Sequence, residues 1–278
     1  MIRGGDTTPA QGFTVVETLI VLAVTSALFL SAAILINGRQ QKTEFAVGIR
    51  GLQQQIQQSI NETRTGNYPS AGGFTCADSG PHNVTITASV GKEQGTNGEC
   101  IFAGKTLVFD PADHPNSFFV YSLAARRLIS GQEVKYAADA KITAVAPTSS
   151  NPSIPDLTSK IDIPNSIEYV KGRSVGAGAW NTNVQSFALL STFADFQSVG
   201  NGSGGSQKIR LAGYGAWNPS DEVNNINKEM NNPYANRYPA FANGIELCFK
   251  SGGTNQSGLI TISNGLEVKL SIKNGTGC

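Results

Sequence analysis

Side chains able to do chemistry are few in this sequence, and most are badly spaced for it. Two histidines, His82 and His114, and four cysteines, Cys76, Cys100, Cys248 and Cys278, are the softer metal ligands available. No two cysteines form Cys-x-x-Cys, and the separations among Cys76, His82, Cys100 and His114 match no common zinc site, so neither a metal centre nor a dithiol redox pair is expected. Asp110, Asp113 and His114 set two carboxylates beside an imidazole, the makings of general acid–base catalysis. They fall, however, in a turn punctuated by Pro111 and Pro115, where the expected state is a solvated loop. Gly200, Gly202 and Gly205 satisfy the Gly-x-Gly-x-x-Gly pattern that cradles phosphate. The segment after them, 207–211, reads as a strand where that chemistry needs a helix. No enzyme and no cofactor is expected.

Glu17 poses a different chemical question, because it stands at the entrance to an apolar run. Between Thr18 and Gly38 there is no charge, and Leu19 to Ile36 is interrupted only by Thr25, Ser26 and Ser31, whose hydroxyls can bond back to their own helix. Those residues span about 27 Å as a helix, close to one hydrocarbon thickness. An ionisable group at such a place usually has a partner or a function. Cutting the chain between Gly12 and Phe13 would supply one: a new α-amino group four residues before Glu17, able to meet a carboxylate of a packed neighbour in a charge-assisted contact. Two plainer readings are a transmembrane anchor and a removable export signal. Ser31-Ala32-Ala33 offers small residues for signal cleavage, while the long polar stretch from Met1 to Gly12 is unlike the short basic start of such a signal. Flanking charge leaves orientation open, since Arg3 is offset by Asp6 and Arg39 and Lys42 lie on the far side.

Gly12-Phe13-Thr14-Val15-Val16-Glu17, running into Thr18-Leu19-Ile20-Val21-Leu22, resembles the prepilin signature of type IV pilins and type II secretion pseudopilins. The resemblance implies a leader, residues 1–12, removed after Gly12 by a membrane prepilin peptidase, N-methylation of Phe13, and a role for Glu17 in subunit assembly. It also implies a cytoplasmic leader with the rest outside, and as partners a lipid bilayer before assembly, other pilin subunits, and inner-membrane assembly machinery. The pattern departs in lacking a Lys-rich stretch before Gly12.

Beyond Gly38 the apolar residues thin to a stripe, Phe45, Ile49, Leu52, Ile56 and Ile60, with glutamines on the other faces. One helix is therefore expected over 13–62, transmembrane at about 18–38, with its second half packed on a head at 63–278. Gly38, Gly48 and Gly51 each cost about 1 kcal/mol relative to Ala in a helix, so a bend or opening is expected near Gly38.

The head reads as short strands: 83–90, 105–109, 117–121, 245–250, 258–263 and 266–272, the last two joined by Asn264-Gly265. A long helix on an antiparallel sheet makes the fold class α+β, and the resemblance implies that it is pilin-like. The stretch Cys100 to Phe109 and the closing strands also resemble the pseudopilin subgroup of minor subunits.

Residues 144–244, richer in Pro, Gly and Asn, are expected as an irregular insertion of strands and long loops. Its Tyr214, Trp217, Tyr234 and Tyr238 are read as packing a small core of their own in preference to a surface for glycan or protein. Outside residues 1–60 acidic and basic residues balance at 17 each, which gives no support for binding DNA.

The four cysteines suggest two disulfides, with three connectivities open. Pairing Cys76 with Cys100 and Cys248 with Cys278 encloses a local β segment each time, and each loop would stabilise by roughly 3.5 kcal/mol. Closure of the C-terminus onto Cys248 also resembles the disulfide-bounded C-terminal region of pilins. The rival class is a monomeric secreted or membrane-anchored binding protein or enzyme that uses the apolar segment only for export.

Overall fold

The computed structural model describes residues 14–65, 73–78, 84–89, 100–110, 113–126, 128–129, 132–133, 142–144, 158–177, 180, 186–191, 209–213, 243–275 and 277–278. It forms two units, Met1–Glu44 and Phe45–Cys278. One helix, α1 (Val15–Thr65), passes through both. Helix is assigned without a break across Gly38, so the opening expected there is not formed. A single glycine costs about 1 kcal/mol, less than the several backbone hydrogen bonds that opening would forfeit. The C-terminal end falls at Thr65, three residues past the expected one, where Thr65 Oγ1 donates back to Asn61 O and Glu62 O, both at 3.1 Å.

In the second unit the stripe does what its spacing requires. Phe45, Ile49, Leu52, Ile56 and Ile60 are each no more than 1% exposed. They pack into one core with two antiparallel sheets. Two hairpins, β1 (Gly73–Asp78) with β2 (Val84–Ser89) and β5 (Leu128–Ile129) with β6 (Gln132–Glu133), stand apart from those sheets in their pairing. The larger sheet comprises β3 (Cys100–Asp110), β4 (His114–Arg126), β7 (Thr143–Ala144), β8 (Thr158–Asp162), β10 (Ser186–Ser191) and β11 (Ile209–Gly213). Its order is β11-β10-β3-β4-β7, with β8 also on β4. The smaller has the order β14-β13-β12-β9, from β9 (Ile167–Ser174), β12 (Gly244–Ser251), β13 (Gln256–Ser263) and β14 (Val268–Asn274).

Aromatic rings fill the space where the sheets meet. Phe109 stacks on Tyr169 at 4.7 Å and on Phe118 at 5.2 Å, and meets Phe249 edge-on at 5.9 Å. Each such ring contributes about 1.5–3 kcal/mol by burial. Desolvation pushes the Tyr169 phenol upward from its ordinary range, which keeps it neutral. The other face of the larger sheet is buried as well: Thr106, Val108, Tyr121, Leu123, Ala188 and Leu190 are all at most 3% exposed. That explains why Phe187-Ala188-Leu189-Leu190 shows no polar alternation.

Close backbone approach explains two glycines. A Cβ on Gly258 would lie 2.9 Å from Ile49 Cγ1, and one on Gly48 would lie 2.7 Å from Ile167 Cδ1. The helix penalty at Gly48 is thus the condition for seating α1 against the turn before β9. An ion pair between Lys105 of β3 and Glu62 adds a polar tie between α1 and the larger sheet. Gln53 Nε2 donates to Val268 O at 2.9 Å, tying the helix to β14.

Residues 144–244 contribute strands to both main sheets, β8, β10 and β11 to the larger and β9 to the smaller. Ile167 and Tyr169 place β9 in the common core. The Asn264-Gly265 hairpin forms, but with three residues in its loop rather than two. Leu266 N–H donates to Ser263 O at 2.9 Å, Ser263 N–H donates to Glu267 O at 3.0 Å, and Leu266 takes the left-handed conformation at φ 63°. A two-residue loop would set Ile262 opposite Glu267. The longer one sets Ile262 opposite Val268 and buries Leu266 to 4% exposure. Core pairing outweighs the local cost of a left-handed leucine.

Candidate functional site

Val15 to Ala33 is a helical stretch long and apolar enough to cross a membrane, and none of it is buried within the protein. Its large side chains stand open, from Val24 at 54% to Phe29 at 77% exposed. Leucine and valine at such exposure are uncommon on a surface meant for water. Three of the segment's hydroxyls bond back to their own helix. Thr25 Oγ1 donates to Val21 O and Ser31 Oγ to Ala27 O, each at 2.8 Å, and Thr18 Oγ1 donates to Val15 O at 2.8 Å. That is the condition for entering an apolar medium.

Glu17 lies in the first turn, and its environment is built by Thr14. Thr14 N–H donates to Glu17 Oε2 at 2.9 Å and Thr14 Oγ1 donates to the same oxygen at 3.0 Å. In return, Glu17 N–H donates to Thr14 Oγ1 at 3.3 Å. This is a capping box, in which Thr-x-x-Glu satisfies otherwise orphaned donors of a helix N-terminus. The carboxylate also faces the positive end of the helix dipole. Both protein contacts fall on Oε2, so Oε1 remains open toward the surroundings among the described contacts. The arrangement can hold a charged carboxylate at a fixed place on the helix rim and offer one oxygen to a cation.

Gly12 and Phe13 lie outside the described residues. Cys248 and Cys278 form a disulfide in the second unit, tying the C-terminus to β12. Cys76 lies in β1 and Cys100 opens β3, and their side chains are outside the described ones, as are His82, Tyr214, Trp217, Tyr234 and Tyr238. The Asp110 cluster is corrected in part. Asp113 and His114 are exposed, and the His114 ring meets Phe119 edge-on at 5.6 Å. Asp110, by contrast, is 1% exposed, its Oδ1 accepting Asp113 N–H at 3.2 Å. It serves as the polar hinge of the β3–β4 hairpin and not as part of a solvated loop. Among the described residues no three His, Cys, Asp or Glu side chains gather to hold a metal.

Thr14 is the residue that spacing could have flagged, through Thr-x-x-Glu before an apolar run. A second group carries no sequence signal: on β9, Arg173 pairs with Glu246 while its guanidinium lies 4.2 Å from the Trp180 ring, and Lys171 Nζ lies 5.1 Å from the same ring. No family model, no curated protein and no solved structure matches this chain.

Proposed function

We propose that the chain is a prepilin-type structural subunit: cut after Gly12 by prepilin peptidase, methylated at Phe13, held in the cytoplasmic membrane by its apolar helix with the leader inside, and then assembled through that helix into a type IV pilus or secretion pseudopilus. The observation that carries this reading is a carboxylate, Glu17, held by Thr14 at the head of an exposed apolar helical stretch and four residues after Phe13. In a packed array the open oxygen of Glu17 meets the Phe13 ammonium of a neighbour, and the apolar side chains of adjacent helices cover one another. Function is then assembly, not catalysis.

The experiment is determination of the mature N-terminus in cells with and without prepilin peptidase. A chain beginning at N-methyl-Phe13 only where the peptidase is present is the expected result; a chain retaining residues 1–12 in both would refute it. A plain membrane anchor is the second reading, favoured by the capping box, which gives Glu17 a local task without any neighbour. That reading requires Met1 to remain the first residue, and the export-signal variant of it requires a start near Ile34.

A further inference from the structure

The smaller sheet ends in an open edge. The three-residue hairpin loop makes Ser263 and Glu267 a hydrogen-bonded pair, so the alternation of the antiparallel ladder turns the N–H and C=O of Val268, Leu270, Ile272 and Asn274 away from β13. The Val268 carbonyl is taken by Gln53 of α1. Among the described residues nothing pairs with the main-chain groups of Leu270 or Ile272. The strand is held ready rather than loose. Leu270 and Ile272 pack their side chains against the core, Gly275 N–H donates to Asn255 O at 2.8 Å, and the disulfide draws the tail back over β12 and β13, where Cys278 Sγ comes within 3.6 Å of Gly258 O. The C-terminal cysteine therefore does not cover the edge.

The outer face of that edge is basic. Lys269 and Lys273 are exposed on either side of Ser271; Lys269 pairs with Glu267 at 3.2 Å, and Lys273 has no acidic partner among the described residues. Lysines on an open strand are a known guard against self-pairing, and here the alignment that overlaps β14 fully with its own copy sets Lys269 opposite Lys273. The same two charges that repel a second copy select a strand with acids at those positions.

We propose that β14 is a docking edge for an extended acidic segment of a partner protein, added antiparallel as a fifth strand. Two acids of that segment face Lys273 and Lys269, a small polar residue faces Ser271, and two apolar residues lie beside Ile272 and Leu270. Affinity comes from main-chain hydrogen bonds and selectivity from the alternate side chains, as in other strand additions. A pre-ordered edge lowers the entropy lost on binding. The proposal is independent of filament assembly.

The test uses the full chain in detergent micelles and capped peptides of sequence Glu-Val-Thr-Val-Glu and Lys-Val-Thr-Val-Lys, with amide exchange of Leu270 and Ile272 as readout. The acidic peptide is expected to slow both amides by about tenfold or more at saturation, and the basic peptide to leave them unchanged. Lys269→Glu with Lys273→Glu, both at exposed sites, should reverse that preference, and N-methylation of the peptide amides facing β14 should abolish protection. Equal protection by both peptides, persistence after N-methylation, or protection appearing with protein concentration alone would each overturn the proposal, the last pointing to a second copy as the occupant.

Discussion

Gly258→Ala tests whether α1 is seated on the smaller sheet by the contact described. The added methyl would lie 2.9 Å from Ile49 Cγ1, 3.2 Å from Ile49 Cδ1 and 3.4 Å from Phe45 Cζ. Ile49 is β-branched and wholly buried, so it cannot swing aside, and relief must come from a shift of helix against strand. Overpacking of this kind costs about 1–3 kcal/mol, and about 2 kcal/mol is expected here. Ile49→Ala alone leaves a cavity and costs about 3 kcal/mol. Together the two changes should not sum, since the alanine at 49 has neither of the closest clashing atoms and the new methyl fills part of the vacancy. The double variant is expected at about 3 kcal/mol, a coupling of about 2 kcal/mol. The assay is urea unfolding of the full chain in mild detergent, followed by near-UV circular dichroism of the head. Additive losses within about 0.5 kcal/mol, or a neutral Gly258→Ala, would refute the packing argument.

Glu17→Gln separates cap from charge, because glutamine at the same position still accepts Thr14 N–H. Cleavage after Gly12 and helix content should survive while filaments recovered by shearing disappear; a wild-type filament yield would remove the assembly role from Glu17. Cys278→Ser opens a loop with a sequence separation of 30 and should cost roughly 3.5 kcal/mol, or about 7–14 °C in Tm. Thermal melts of the variant and the native chain, both without reductant, check this, and equal Tm values would refute it.

Periodic features were legible in the sequence wherever burial and spacing state the same thing. Phe45, Ile49, Leu52, Ile56 and Ile60 repeat at helical spacing and end wholly buried, and the Cys248–Cys278 pairing follows from strands that bring its ends together. What stayed hidden depends on long-range pairing. Phe187 to Leu190 has no alternation to read because both faces of its sheet are covered. Asn264-Gly265 promised a tight turn, and the core demanded one more residue. Gly48 looked like a flaw in a helix until Ile167 was found against it. Thr14 is different in kind: its partner is three residues away, so Thr-x-x-Glu before an apolar run carries the capping box in the sequence itself.

The two halves of α1 face opposite problems. The second half buries its stripe in a core that water cannot enter, so its position is fixed by shape. The first half presents exposed apolar side chains, with the hydroxyls of Thr18, Thr25 and Ser31 bonded back to the helix. For such a surface, lipid tails and the side chains of like helices are nearly equivalent surroundings, because no hydrophobic force favours one over the other. A choice between bilayer and helical array must then rest on the few polar groups present, and in this stretch Glu17 is the only charged one. A carboxylate held by Thr14 through one oxygen can keep its cap in either setting; an array that brings an ammonium to the other oxygen offers it something that lipid does not. In the assembly proposed above, the apolar run permits packing and Glu17 supplies the polar contact that favours an array over lipid.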